Sequence, residues 1–98
     1  MFVGIGYVKI RIYEAYSLKD RRQVVRSVTQ KIEKKHNLSV ATIDDGSLWN
    51  LVEIGFAGVS SNKAILESMY KQVGHILDED YRFEVVDFIV DIQKEILR

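Results

Sequence analysis

The chain contains no cysteine and no proline among its 98 residues. Without cysteine there is no disulfide, no thiolate nucleophile and no cysteine metal site, so redox chemistry has no handle on the protein. Without proline, trans peptide bonds and quick folding are expected. Net charge is missing too, because 14 Lys and Arg balance 14 Asp and Glu. A neutral total argues against strong nonspecific binding to nucleic acid. No apolar run approaches the roughly 20 residues that span a bilayer, and the N-terminus lacks the shape of a signal peptide. A cytoplasmic protein that does not contact membrane is expected. No linker or low-complexity segment interrupts the chain, which fits a single domain over residues 1–98 with one modest core.

Sets of residues that carry catalysis are also absent. His36 has no carboxylate at i+3 or i+4, and Asp78 and Glu79 beyond His75 close the second helix without suggesting a ligand set; His36 is expected to serve the dipole at a helix C-terminus. Asp44 and Asp45 precede a turn glycine and read as turn chemistry, not as a cation site. Gly4-Ile5-Gly6 lacks a following phosphate loop and helix, so it is no nucleotide fingerprint. These glycines read as a bulge or a close strand contact. No serine–histidine–acid set is suggested by spacing. The expectation is a binding protein, not an enzyme, with no cofactor and no metal.

What is present is clear periodicity. Residues 2–13 alternate as a strand, with Val8, Ile10 and Ile12 on one side. From Ser17 to about His36 the period becomes helical, with Val24, Val25, Val28 and Ile32 on one face. Residues 38–44 read as a short strand, and Asp45-Gly46 marks a turn. Residues 49–60 form a second long strand burying Val52, Ile54 and Phe56. Ser61 or Asn62 caps a second helix whose stripe is Ile65, Leu66, Met69, Val73, Ile76 and Leu77. Residues 83–93 close the chain as a strand expected to bury Val86, Phe88, Val90 and Ile92.

The two halves echo each other at an offset of 44 residues. Val8, Ile10 and Ile12 fall on Val52, Ile54 and Phe56; Ser17-x-Lys19 falls on Ser61-x-Lys63. Element order βαββαβ in two such halves predicts an α+β, ferredoxin-like sandwich. Right-handed crossovers place both helices on one face of a four-stranded antiparallel sheet. The first and third strands are then central, the fourth lies beside the first, and the second takes the other edge.

The same parity populates the uncovered face of the sheet with Tyr7, Lys9, Arg11 and Tyr13. The third strand adds Leu51, Glu53, Gly55, Ala57 and Val59, and the last adds Val85, Asp87, Ile89 and Asp91. Lys9 and Arg11 are expected to pair with Asp87 and Asp91. Leu51, Val59, Val85, Ile89 and the tyrosines form an apolar patch of the kind that marks a contact surface. Gly55 and Ala57 would let a second sheet approach closely. Homodimerisation through this face is one functional reading. A standard RNA-recognition sheet is excluded, because parity turns Phe56 inward and leaves Glu53 where a base-stacking aromatic is needed.

The first helix supplies the other reading. Ser17-Leu18-Lys19-Asp20-Arg21-Arg22 pairs Ser17 with Asp20 as an N-terminal cap. Lys19, Arg21 and Arg22 nevertheless crowd a turn where the dipole already presents positive charge, at a cost of a few tenths to about 1 kcal/mol each. An anion over that turn would bring backbone amides and cations onto one ligand. On a helical wheel Lys19, Arg22, Arg26, Gln30 and Lys34 form an outward row, interrupted by Glu33 nearby, while Arg21 and Lys35 fall toward the apolar side and should snorkel. Charge is uneven along the chain: residues 1–38 hold nine Lys and Arg against three acids, and residues 39–98 hold five against eleven. A solvated row and a phosphate-binding row share this pattern; the second predicts strong salt dependence.

The strand with Lys9 and Arg11, the run Ser17-Leu18-Lys19-Asp20-Arg21-Arg22, and Leu48-Trp49 with Glu53-Ile54-Gly55 together resemble the YlxP-like proteins, a bacterial family of unknown function. The resemblance covers essentially the whole chain and implies the same ferredoxin-like fold, with no catalytic residues to carry over. Members are often encoded near translation factors, including ribosome-binding factor A. The resemblance therefore implies a role around the ribosome; the cation-rich first helix separately gives the expectation that RNA or the ribosome is contacted through Lys19, Arg22, Arg26 and Lys34.

Overall fold

A computed structural model describes residues 1–94 of the chain. Six elements follow in order: β1 (Phe2–Ile12), α1 (Leu18–Lys35), β2 (Ser39–Thr42), β3 (Leu51–Ser60), α2 (Lys63–Asp78) and β4 (Phe83–Lys94). The strands pair antiparallel in the order β2-β3-β1-β4. This is the ferredoxin-like arrangement, with β1 and β3 central as their long alternation implies.

The inward residues of the central strands, Val8, Ile10, Ile12, Val52, Ile54 and Phe56, form one cluster with Val28 and Ile32 of α1 and with Tyr70, Val73, Ile76 and Leu77 of α2. Phe88 of β4 packs against it. Both helices therefore cover one side of the sheet. Burying each of these aliphatic side chains contributes about 1.5–3 kcal/mol.

Two expectations about strand ends change. β2 is only four residues long, and Leu38 ahead of it turns into the core against Gly58, where an added Cβ would stand 2.7 Å from Leu38 Cδ2. Trp49 and Asn50 lie in the loop before β3 rather than in the strand.

Gly4 and Gly6 face inward on β1 and make room for a ring. A Cβ on Gly6 would lie 2.6 Å from Tyr70 Cε1, and one on Gly4 2.8 Å from Tyr70 Cε2. The phenol hydroxyl of Tyr70 donates to the Gly4 carbonyl at 2.7 Å. Close packing, not a bulge, is what these glycines serve.

The bulge lies elsewhere. Between Lys9 and Ile10 the pairing of β1 with β4 slips by one, so Lys9 sits opposite Asp87 while Ile10 sits opposite Val85. Val86 is the extra residue and is exposed. Such a bulge reverses the side-chain parity of everything beyond it. Val85 consequently faces the helices and packs against the core, not the open face, and Val86 is not buried. The slip also lets Phe83 pair with Ile12 and close the core at that end. Ile65 departs from its expected stripe and is exposed, while Val90 lies opposite inward-facing Gly6 yet stays partly uncovered. Val90 lines a groove with Phe88, Ile92 and Tyr70, at the edge where α2 stops short of covering β4.

Candidate nucleic-acid interface

The helix α1 begins with a reciprocal cap. Ser17 Oγ accepts from the Asp20 amide at 3.1 Å, and Asp20 Oδ2 accepts from the Tyr16 amide at 3.0 Å. Asp20 is thus engaged in holding the helix start, where a carboxylate also complements the dipole.

The three cations of this turn divide. Arg21 is 5% exposed, far more buried than a snorkelling side chain. Its Nη1 donates to the Leu48 carbonyl at 2.6 Å and the Leu51 carbonyl at 2.7 Å, and its Nη2 pairs with Asp44. Asp44 in turn accepts from the Gly46 amide at 2.7 Å and the Glu53 amide at 2.8 Å. Burial pushes the Asp44 carboxyl up, but the Glu53 and Gly46 amides and the Arg21 charge outweigh it and hold it below the usual value. Asp44 therefore does more than close a turn: with Arg21 it ties the loop between β2 and β3 to the first turn of α1. Arg21 is satisfied within the fold and is not available to an external anion.

Lys19, Arg22, Arg26 and Lys34 remain exposed, and none joins an ion pair among the described residues. With Gln23, Ser27, Gln30 and Lys31 they line an open trough of about 720 Å³ along the outer side of α1. From Lys19 to Lys34 the row spans about 22 Å at 1.5 Å per residue. Arg22 and Arg26 lie one turn apart and repel by a few tenths of a kcal/mol.

Sequence reasoning missed Arg82, which borders this row from the loop between α2 and β4. Its Nη2 donates to Ser27 Oγ at 3.1 Å, and it pairs with Asp80 at 2.6 Å. That pair gives Asp80 a role at the acidic end of α2. Its hydrogen bonds from the Arg82 side chain outweigh burial and hold its carboxyl below the usual value, with the Arg82 amide and the charges of Arg82 and Lys31 adding.

His36 does not serve the dipole as a cation. It is the C-cap residue, its amide donating to the Ile32 carbonyl, while its buried Nε2 has no hydrogen-bond partner. Desolvation, then the Lys35 charge, lowers its pKa and favours the neutral ring.

On the open face, register aligns Tyr7 with Gly55 and Ile89, Lys9 with Glu53 and Asp87, and Arg11 with Leu51 and Glu84. Ala57 and Val59 share this face, facing Ile5 and Val3. Arg11 forms its ion pair with Glu84 instead of Asp91, because the bulge brings Glu84 across from it. Lys9 stands opposite Asp87 as expected, without an ion pair among the described residues. Tyr7 donates to Glu53 Oε2 at 3.0 Å; desolvation, then this bond, pushes its phenol up. Tyr13 follows the last residue of β1 and borders a cleft with Leu77, Tyr81 and Phe83, at the end of the sheet and away from the middle of the face.

Ile5 and Ile43, not anticipated on this surface, are both more than half exposed. Ile43 lies over Gly55, where a Cβ would be 3.2 Å from its Cγ2. The space above Gly55 is therefore filled from within the chain.

Three metal-ligating side chains do not come together anywhere among the described residues. No helix is long and apolar enough to cross a membrane.

A family model described as a protein of unknown function, DUF503, matches residues 3–90. The uncharacterized protein YlxP of Bacillus subtilis (strain 168) is 29% identical over 76 residues, which are 78% of this chain and 83% of that protein. Among solved structures, a de novo designed protein with a ferredoxin fold is similar at a TM-score of 0.50 and 17% identity, over 98% of this chain and 88% of the design. A putative chlorite dismutase, TA0507, is similar at a TM-score of 0.55 and 13% identity, over 94% of this chain but 44% of that one. At such identities the likeness concerns the fold alone.

Proposed function

This chain belongs to the family of unknown function DUF503, and we propose that it is a binding protein that holds RNA, free or within the ribosome, along the outer face of α1. The observation that carries this reading is the row Lys19, Arg22, Arg26 and Lys34, exposed and without an ion-pair partner among the described residues. Of the acids around it, Asp20 is engaged in the helix cap, Asp44 with Arg21 and Asp80 with Arg82, which leaves Glu33 beside Lys34 as the exposed acid on α1. Lys19, Arg22 and Arg26 spaced by about one helical turn, with Lys34 two turns further on beyond Gln30, suit a run of phosphates better than a single small anion.

Binding of a labelled RNA measured across salt concentrations tests the reading. Four phosphate contacts give a log–log slope of about −3 for a single strand. The double variant Arg22→Glu/Arg26→Glu, altered only at exposed positions, should abolish binding while leaving the circular dichroism unchanged. Affinity that is absent, or indifferent to both salt and charge reversal, overturns the proposal.

A second reading, self-association through the open sheet, is favoured by Ile5, Val59 and Ile89, each more than half exposed on that face. Contiguous apolar surface of this kind marks contacts. Sedimentation at high concentration should then show a dimer that Ile5→Glu converts to monomer. A wild-type monomer rules it out.

A further inference from the structure

Trp49, the single tryptophan of the chain, is 48% exposed although it sits in a loop that is firmly held. Arg21 grips the carbonyls on either side of it, those of Leu48 and Leu51. Asp44 fixes Arg21 and the amides of Gly46 and Glu53, and the Asn50 carbonyl accepts from the Ile12 amide at 2.7 Å. A slack loop could fold a large aromatic down onto the protein. The backbone of this loop is fixed, and about half of Trp49 stays open to solvent.

The same arginine fixes where that surface is. Arg21 reaches from the buried side of the first turns of α1, so the Leu48–Trp49 corner lies beside the N-terminal end of the helix that carries the cationic row. Tyr16 and Leu18, also exposed, border the same helix start. Of the acids at this corner, Asp20 accepts from the Tyr16 amide and Asp44 pairs with Arg21, while Asp45, which accepts from the Ser47 amide, and Glu14 stay exposed.

We infer that Trp49 is a stacking platform for an unpaired base of a strand whose phosphates lie on Lys19, Arg22 and Arg26. The ligand is then single-stranded RNA. This inference rests on the helix reading above and adds the class of RNA to it. Only an unpaired base presents its ring face; a duplex keeps its bases stacked on one another. A preheld aromatic also loses little conformational freedom when it stacks.

Because no other tryptophan contributes, emission reports on this one side chain. A short oligouridine labelled for anisotropy gives the affinity, and the unlabelled strand gives the quenching of Trp49. The expected result is saturable quenching with the same midpoint as the anisotropy change. Trp49→Ala should weaken binding about 5- to 150-fold, the factor contributed by stacking one base, while Trp49→Phe should retain most of the affinity. A blunt RNA duplex should leave the emission unchanged.

Binding of normal strength with unquenched emission and an unaffected Trp49→Ala variant overturns the inference and leaves the helix reading standing. Equal quenching by the duplex overturns it as well. Absence of RNA binding at low salt removes the helix reading, and this inference with it.

Discussion

Replacing Asp44 by asparagine strands a buried guanidinium. The two side chains of the pair are only 6% and 12% exposed, so water cannot take the place of the lost carboxylate. Two carbonyls still accept from Arg21, yet they carry no full charge. Removing one partner of a buried pair costs about 3–5 kcal/mol, and the remaining carbonyls place Asp44→Asn at the lower end, about 3 kcal/mol. For a domain of this size that lowers the melting temperature by about 12–24 °C. Replacing both partners, as Arg21→Met/Asp44→Asn, leaves neither charge unpaired, so the double variant should be more stable than the sum of the singles by about 2 kcal/mol. Urea melts of the four proteins at pH 7 measure that coupling. The pH dependence supplies a further check. The Asp44 carboxyl is depressed below its reference of 3.8 in the folded state. Its contribution is therefore complete above that reference and is lost as pH falls through the folded value. The gap between wild type and Asp44→Asn should narrow below about pH 4 for the same reason. A loss under about 1 kcal/mol at pH 7, the range of a solvated pair, would refute the argument that this cluster anchors the loop.

Three other outcomes follow from packing. Gly6→Ala should destabilise by about 1–3 kcal/mol through overpacking, because its methyl would meet the Tyr70 ring at 2.6 Å; a chemical melt indistinguishable from wild type refutes this contact. Burial pushes the Tyr70 phenol up to about 12, so the stability it contributes is complete below pH 10 and lost as pH rises toward 12, and ultraviolet titration should show a late ionisation near that pH that disappears in Tyr70→Phe. Val85→Lys should destabilise by about 2 kcal/mol and Val86→Lys by less than about 0.5 kcal/mol; the reverse order in thermal melts would deny the bulge.

The elements were legible because period two and period 3.6 are written plainly into Val8-x-Ile10-x-Ile12 and into Val24 to Ile32. What escaped were features decided by distant partners. Val85 and Val86 are adjacent, identical and apolar, and nothing local says which one is the extra residue; pairing Phe83 with Ile12 decides it. Ile5 was overlooked because its inward neighbours are glycines, whose missing side chains are supplied by Tyr70 from 66 residues away. Arg21 was correctly turned toward the apolar side by its wheel position, but the carboxylate that lets it stay there belongs to a loop 23 residues on. The outward row of α1 was readable for the opposite reason. Solvent-facing positions of a regular helix depend on the helix alone, so Lys19, Arg22, Arg26 and Lys34 stand where the wheel put them.

The echo between the halves sharpens what is unusual about that row. Lys19 and Lys63 occupy matching places, each just inside a capped helix start. In α2 the lysine has Glu67 one turn on, and both border the same groove. In α1 the corresponding place is Gln23, and the next cation, Arg22, is followed one turn on by Arg26. A fold that needed only solvated charge would tolerate the compensated pattern in both helices. The Ser17–Arg22 run instead assigns its acid to the cap and one arginine to the loop, which leaves the helix dipole and the outer cations with the same sign. Such a surface is relieved by an external anion, and a polyanion relieves all of its turns at once.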